Sequence, residues 1–143
     1  MDSELKAFFK ENTSVEATDE IVVSNRFKNK NGEPIKFKIR SITQDENDLI
    51  TRQCEKKHKD VRTGQYVIES DRRLYILKLI VNSTVFPDFN NAELQNNYGV
   101  PGQPEKLVAK MLTPGEYTNL LNAINAINGF NDDINEDIED AKN

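Results

Sequence analysis

An apolar run between Leu74 and Val85 constrains the fold of this 143-residue chain more than any other feature. Seven apolar side chains in this run cover most of a helical circumference, not a single stripe: Leu74, Ile76, Leu77, Leu79, Ile80, Val81 and Val85. Such a helix is stable only when neighbouring elements cover it on nearly all sides. The Phe86-Pro87 pair marks its end, because the residue before a proline is disfavoured in the helical conformation. The run therefore predicts a central core helix within residues 70–86.

Two further helices are predicted to follow and to pack on the central one. Residues 104–112 form a short apolar pattern that leads directly into Thr113. Thr113 can cap a helix in which Pro114 takes the first position and Glu116 returns a hydrogen bond to the cap. The apolar positions behind this start share one helical face: Tyr117, Leu120, Leu121, Ile124 and Ile127. We expect a final helix over 114–128.

The clearest β pattern lies at residues 21–42. A first strand is expected over 21–27, and residues 35–40 alternate apolar with basic side chains. Between them, Asn31-Gly32 supplies residues that tolerate positive φ in a turn. Because an isolated hairpin is marginal in water, this one must pack on the helices or on another chain.

The remaining segments complete a prediction of one α+β, mostly α-helical domain. A capping-box pattern at Thr43 begins a helix over about 43–58. The other expected segments are a short helix and linker at 1–20, a connection at 60–69 with an extended piece at 66–68, a polar loop at 90–103, and an acidic, disordered tail at 131–143. We thus predict a single domain at 21–130, with an N-terminal β-hairpin packed on about four helices.

The cysteine content and the hydropathy pattern indicate a cellular compartment. Cys54 is the single cysteine, so no intrachain disulfide forms, and a reducing intracellular setting is favoured. No apolar run approaches the roughly 20 residues that span a bilayer, and residues 1–10 lack the apolar part of a secretion signal. We expect a cytoplasmic protein without membrane contact.

The chain shows no pattern typical of catalytic, cofactor or metal sites. Cys54 and the single histidine, His58, stand four residues apart and could share a helix face as two metal ligands. No further cysteine or histidine completes such a site, and a partly buried thiol beside a surface histidine explains the pair more simply. The glycines form no phosphate-binding loop. We therefore expect no enzymatic activity, no cofactor and no metal.

The net charge of −5 conceals a basic segment, since residues 21–62 carry 11 basic and 6 acidic side chains. The predicted hairpin holds six of the basic residues: Arg26, Lys28, Lys30, Lys36, Lys38 and Arg40. Three interpretations remain open. The ribbon could contact nucleic-acid phosphates, it could be an ordinary solvated face whose lysines discourage strand pairing, or it could dock an acidic protein segment.

Three stretches, in this order and spacing, carry a resemblance to a known family. They read IVVSNRFKNKNGEPIKFKIRSIT at the hairpin, VFPDFNNAELQNNYGV at the aromatic turn, and KMLTPGEYTNLLNAINAINGF at the last helix. Together they span residues 21–130, and the chain resembles the XkdN-like tail assembly chaperones of tailed phages and defective prophages.

The resemblance implies a non-enzymatic role in the bacterial host cytoplasm. Such proteins hold the aggregation-prone tape measure protein until tail tube subunits polymerise around it, and they leave before the particle is complete. The resemblance suggests a longer frameshifted form of the same protein as a further partner. A homo-oligomer is expected on physical grounds, because a hairpin edge and a three-helix scaffold could repeat. The alternative function is a nucleic-acid-binding regulator that uses the basic hairpin.

The family provides no motif for the client site, so its candidate residues rest on physical grounds. A protein that holds amphipathic helices needs exposed apolar anchors and charges that tune specificity. The candidate anchors are the aromatic residues Phe86, Phe89, Tyr98 and Tyr117. The candidate electrostatic guide is formed by Arg26, Lys36, Lys38 and Arg40.

Overall fold

Residues 3–130 are described by a computed structural model with six α-helices and two small antiparallel sheets. The helices are α1 (Ser3–Lys6), α2 (Gln44–Gln53), α3 (Arg72–Ser83), α4 (Ala92–Asn97), α5 (Pro104–Met111) and α6 (Pro114–Ile127), with a 3-10 turn at Lys10–Asn12. The strands are β1 (Thr18–Ile21), β2 (Phe37–Arg40), β3 (Glu55–Lys59), β4 (Tyr66–Ser70) and β5 (Thr84–Phe86). The predicted α+β, mostly helical class is confirmed. The predicted acidic tail at 131–143 lies outside the described residues.

Helix α3 lies at the centre, in contact with α2, α5, α6 and β5. The Asp71 carboxylate begins it by accepting a hydrogen bond from the Leu74 backbone N–H at 3.0 Å. From Leu77 to Ser83 five of the seven residues are buried, and the exceptions are the polar residues Lys78 and Asn82. The first half differs, because Leu74, Tyr75 and Ile76 are only half-buried. Part of the apolar circumference of α3 is therefore left at the surface.

The first sheet has the strand order β1-β2-β5. Strands β1 and β2 form the predicted hairpin, in antiparallel register from Thr18 opposite Arg40 to Ile21 opposite Phe37. The prediction placed the first strand too late, because pairing begins within the supposed linker and ends at Ile21. Ser41 explains the shift: its backbone N–H donates to the Ala17 carbonyl, and its hydroxyl accepts from the Ala17 N–H, both at 2.8 Å.

Strand β5 corrects the predicted end of the central helix. The helix stops at Ser83, and Thr84–Phe86 pairs antiparallel with β2 instead of continuing as helix. Two branched or aromatic residues before a proline favour extended backbone, and β2 offers an unpaired edge to complete the ladder. The prediction of helix over 84–86 was therefore wrong.

A second correction concerns residues 55–58, which were predicted as helix. Helix α2 ends at Gln53, and β3 pairs with β4 as a separate two-stranded hairpin from Glu55 opposite Ser70 to Lys59 opposite Tyr66. A backbone hydrogen bond of 2.8 Å from Asp71 N–H to the Cys54 carbonyl closes its base. The predicted extended piece at 66–68 is confirmed as part of β4.

The polar loop predicted at 90–103 contains a short helix, α4, that the sequence reasoning missed. Its Asn91 side chain caps it by accepting from the Leu94 N–H at 2.8 Å. The buried Gln95 amide then ties the loop together, donating to the Phe89 carbonyl at 2.8 Å and accepting from the Gly102 N–H at 2.9 Å. Phe89 itself is 0% exposed and belongs to the hydrophobic core.

An ion pair joins the hairpin loop to the start of α6. The Arg26 guanidinium donates to both oxygens of Glu116, at 2.9 and 2.6 Å, and to the Met111 carbonyl at 2.9 Å. Glu116 also completes the predicted capping box, since it accepts from the Thr113 N–H at 2.9 Å. The Arg26 hydrogen bond holds the pKa of the Glu116 carboxyl well below its usual range.

No helix within residues 3–130 combines the length and the apolar character that a membrane crossing requires.

Replacing Phe89 tests its place in the core. Phe89→Ala removes a fully buried ring and leaves a cavity, so we expect the free energy of unfolding in urea to fall by about 3–5 kcal/mol. Phe86→Ala is the matched control, because the Phe86 ring is 54% exposed; its cost should be about 1 kcal/mol or less. Equal losses from the two substitutions would contradict the core position of Phe89.

Replacing Glu116 tests the ion pair through its pH dependence. The folded pKa of this carboxyl lies below its unfolded value, so its stabilisation is present above about pH 4.5 and is lost as the pH falls toward the folded pKa. We expect Glu116→Gln to lower stability by about 1–3 kcal/mol at neutral pH and to flatten the acid loss between about pH 5 and pH 3.

Urea unfolding at a series of pH values measures this effect. Glu93→Gln is the control, since Glu93 is exposed on α4 and forms no ion pair within residues 3–130. It should leave the profile unchanged. A Glu116→Gln profile as steep as that of the natural chain would show that Glu116 does not contribute.

Candidate functional site

The basic hairpin presents fewer free charges than its sequence indicates. Arg26 is held by Glu116, and Arg40 pairs with Glu46 at 2.8 Å, so both guanidinium groups have partners within the fold. Lys36 and Lys38 are exposed. Of the predicted electrostatic guide, only these two lysines remain without a carboxylate partner in the described part of the chain.

The outer face of the three-stranded sheet brings one predicted anchor beside these lysines. Lys38 lies opposite Glu20 of β1 on one side and opposite Phe86 of β5 on the other, so the three side chains share one face of the sheet. Phe86 is exposed there, as is Val22. This surface is small and mixed in charge.

The other predicted aromatic anchors differ in burial. Phe89 lies in the core and is not an exposed anchor, which corrects that prediction. Tyr98 is half-buried against the core. Tyr117 lies elsewhere, at the start of α6, where burial raises the pKa of its hydroxyl and nearby Arg73 acts in the opposite direction.

Tyr117 lines a cleft of about 350 Å³ between α3, α5 and α6. Arg73 and Leu77 form the α3 side, and the turn at Thr113-Pro114 forms its end. A second cleft of about 330 Å³ lies between α3 and the later part of α6. Its lining consists of Arg72, Tyr75, Ile76, Leu79, Leu121, Asn125 and Phe130.

The two clefts share the first half of α3, whose apolar side chains were left half-buried by the fold. We call the surface formed by Arg72, Arg73, Ile76, Tyr117 and Leu121 the α3–α6 face. Each cleft is lined by one arginine and by no carboxylate. Neither arginine forms an ion pair with any carboxylate of residues 3–130. The face therefore combines accessible apolar surface with two arginines that form no ion pair within residues 3–130.

The position of these arginines is unusual for a helix. Arg72 and Arg73 occupy the first turn of α3, which contains no acidic residue. The helix dipole places partial positive charge at this end, so a cation there is unfavourable by about 0.3–1 kcal/mol. Two arginines at a helix start, as in the sequence SDRRLY, depart from the usual preference for acidic residues there. This departure is the sequence signal that points to the α3–α6 face.

The β3–β4 hairpin forms another exposed surface that the sequence reasoning missed. Every residue of both strands is exposed. One face carries Tyr66 and Ile68 with Lys57, whose amino group lies 4.6 Å from the centre of the Tyr66 ring. The hairpin displays apolar and basic groups together and has no covering layer.

Cys54 and His58 do not share a helix face, contrary to the predicted helix. Cys54 is buried at the end of α2, and burial raises the pKa of its thiol. His58 lies on exposed β3, 3.6 Å from the Glu69 carboxylate. No group of three or more histidine, cysteine, aspartate or glutamate side chains in residues 3–130 is arranged to hold a metal ion.

The chain is similar in sequence to one protein family and to two bacterial proteins. Residues 5–142 match the family model of the phage XkdN-like tail assembly chaperone protein. Two similar proteins come from Bacillus subtilis strain 168. The uncharacterised protein YqbN is 32% identical over 136 residues, which is 94% of this chain and 90% of YqbN. The phage-like element PBSX protein XkdN is 30% identical over 138 residues, 96% of this chain and 93% of XkdN.

A solved structure supports the same assignment. The crystal structure of the protein YqbN superposes with a TM-score of 0.74 at 27% sequence identity, covering 90% of this chain and 98% of that one. The matches extend over nearly the whole of each chain, so they concern the entire fold and not a shared fragment. This chain belongs to the family of phage XkdN-like tail assembly chaperones.

Proposed function

We propose that this protein binds the tape measure protein in the host cytoplasm, keeps it soluble until tail tube subunits assemble around it, and is absent from the finished tail. Membership of a tail assembly chaperone family supports the process. The α3–α6 face supports the means, because it offers a surface for a helical client instead of a pocket for a small molecule.

The observation that carries this proposal is the incomplete burial of α3. Tyr75 and Ile76 are half-buried and line the cleft of about 330 Å³, and Leu77 lines the cleft of about 350 Å³. An amphipathic helix can lay its apolar stripe along such a surface, with side chains at i, i+3, i+4 and i+7 entering the clefts. The tape measure protein is expected to offer many such stripes, because it is long and helical.

The arginines of the face set the chemistry of the client segment. Arg72 and Arg73 have no carboxylate partner in residues 3–130, so acidic residues beside the apolar stripe of a client would neutralise them. Charges at the rim of an interface chiefly speed association and favour correct partners. A holding protein that must later release its client benefits from this kind of contact.

Self-association and a frameshifted longer form of the protein stay predictions. Strands β1 and β5 are the edges of the first sheet, and the β3–β4 hairpin is exposed on both faces. These are the surfaces through which a second copy could pair.

Co-expression with the tape measure protein tests the proposal. We expect the natural chain to raise the soluble fraction of the tape measure protein and to co-purify with it. Arg72→Glu/Arg73→Glu should weaken the complex about tenfold or more, equivalent to about 1.4 kcal/mol, in a titration of the purified partners.

Lys36→Glu/Lys38→Glu is the matched control, because it reverses two exposed charges on the sheet and leaves the α3–α6 face intact. It should bind as the natural chain does. Repeated failure of the natural chain to form any complex would overturn the tape measure proposal. Equal weakening by both double variants would place the client elsewhere than on the α3–α6 face.

A further inference from the structure

The described part of the chain ends at the edge of a cleft of the α3–α6 face. Helix α6 finishes at Ile127, and Gly129 turns the backbone with a φ of 76°. The Phe130 N–H then bonds the Asn125 carbonyl at 3.0 Å. Phe130 itself lines the cleft that contains Arg72. Residue 131 therefore continues from the rim of this cleft.

The sequence that follows is complementary to the face in charge and in apolar spacing. Residues 132–143 contain six acidic side chains and one basic one. Ile134 and Ile138 are their two large apolar residues, four positions apart, which is the spacing of one helical face. The face has the opposite character, with two unpaired arginines and partly open apolar clefts.

We propose that segment 131–143 docks on the α3–α6 face of its own chain, with its isoleucines against the apolar clefts and its carboxylates beside Arg72 and Arg73. Ile134 follows Phe130 by four residues, so its Cα lies within about 14 Å of the Phe130 Cα in any conformation. The cleft that Phe130 lines is therefore within its reach.

Docking within one chain needs little affinity. A short connection gives the segment an effective concentration on the order of millimolar at the face, so even weak contacts leave it bound for much of the time. The contacts are also easily broken, because exposed ion pairs are screened by salt. The proposed docking is therefore weak and reversible.

The docking does not depend on the proposed function, but its consequence does. If the tape measure protein binds the same face, the segment competes with it, and only a client with a better apolar stripe displaces the segment. The segment would shield the apolar clefts of the free protein from nonspecific partners.

A nitroxide spin label on the full chain tests the docking without any client. Ala141→Cys supplies the attachment point, while Cys54 is buried with a raised thiol pKa and so reacts poorly with the reagent. We expect the methyl signals of Ile76, Leu79 and Leu121 to lose most of their intensity in NMR spectra. The signals of Val22 and Val85, both exposed outside this face, should keep theirs.

Three comparisons make the result decisive. The unsubstituted chain treated with the same reagent should show no loss of signal. Arg72→Glu/Arg73→Glu should abolish the loss and Lys36→Glu/Lys38→Glu should preserve it. Absence of signal loss in the labelled chain overturns the proposal, and so does a loss that appears equally when spin-labelled and isotope-labelled copies are mixed, since that assigns the contact to a second copy.

Discussion

The burial of α3 is the interaction on which the rest of this structure depends. The helix is apolar around most of its circumference, so every neighbouring element is placed by the need to cover it. Helices α2, α5 and α6 and strand β5 all contact it. They cover its second half almost completely, from Leu77 to Ser83, but not the first half. The apolar circumference of α3 therefore both organises the core and leaves accessible apolar surface at the N-terminal end of the helix.

The Arg26–Glu116 pair helps to fix which side of the molecule stays open. Glu116 closes the capping box of α6 and holds the hairpin loop through Arg26, so the sheet is fastened to the start of the last helix. The buried face of β2, with Phe37 and Ile39, then packs into the core. The sheet contacts α6 through β1 and β2, whereas the clefts beside Arg72 and Arg73 are lined by helices and by the non-helical residues Leu112, Thr113 and Phe130.

A tail assembly chaperone needs a surface that holds another chain and then releases it. The α3–α6 face has features that suit this proposed role, because its clefts are open, its apolar residues are partly solvated, and Arg72 and Arg73 are exposed. Release from such a surface exposes little additional apolar area to water, so it costs less free energy than release from a deep apolar pocket.

The sequence by itself determined the elements whose signals are local. The apolar run of α3, the capping box at Thr113 and the alternation around Phe37 each predicted an element that the structure contains. Local signals of this kind survive because propensity, capping and side-chain period act over a few residues. The ordered resemblance across residues 21–130 also indicated the family.

Tertiary structure decided what depends on pairing between distant residues. Residues 84–86 became a strand because β2 offered an edge, and the charged residues 55–59 became a strand only because β4 lies opposite. Phe89 and Phe86 are close in sequence, yet one is enclosed by the core and the other is exposed. The α3–α6 face is likewise a product of packing, since no local pattern states which part of an all-round apolar helix its neighbours will leave uncovered.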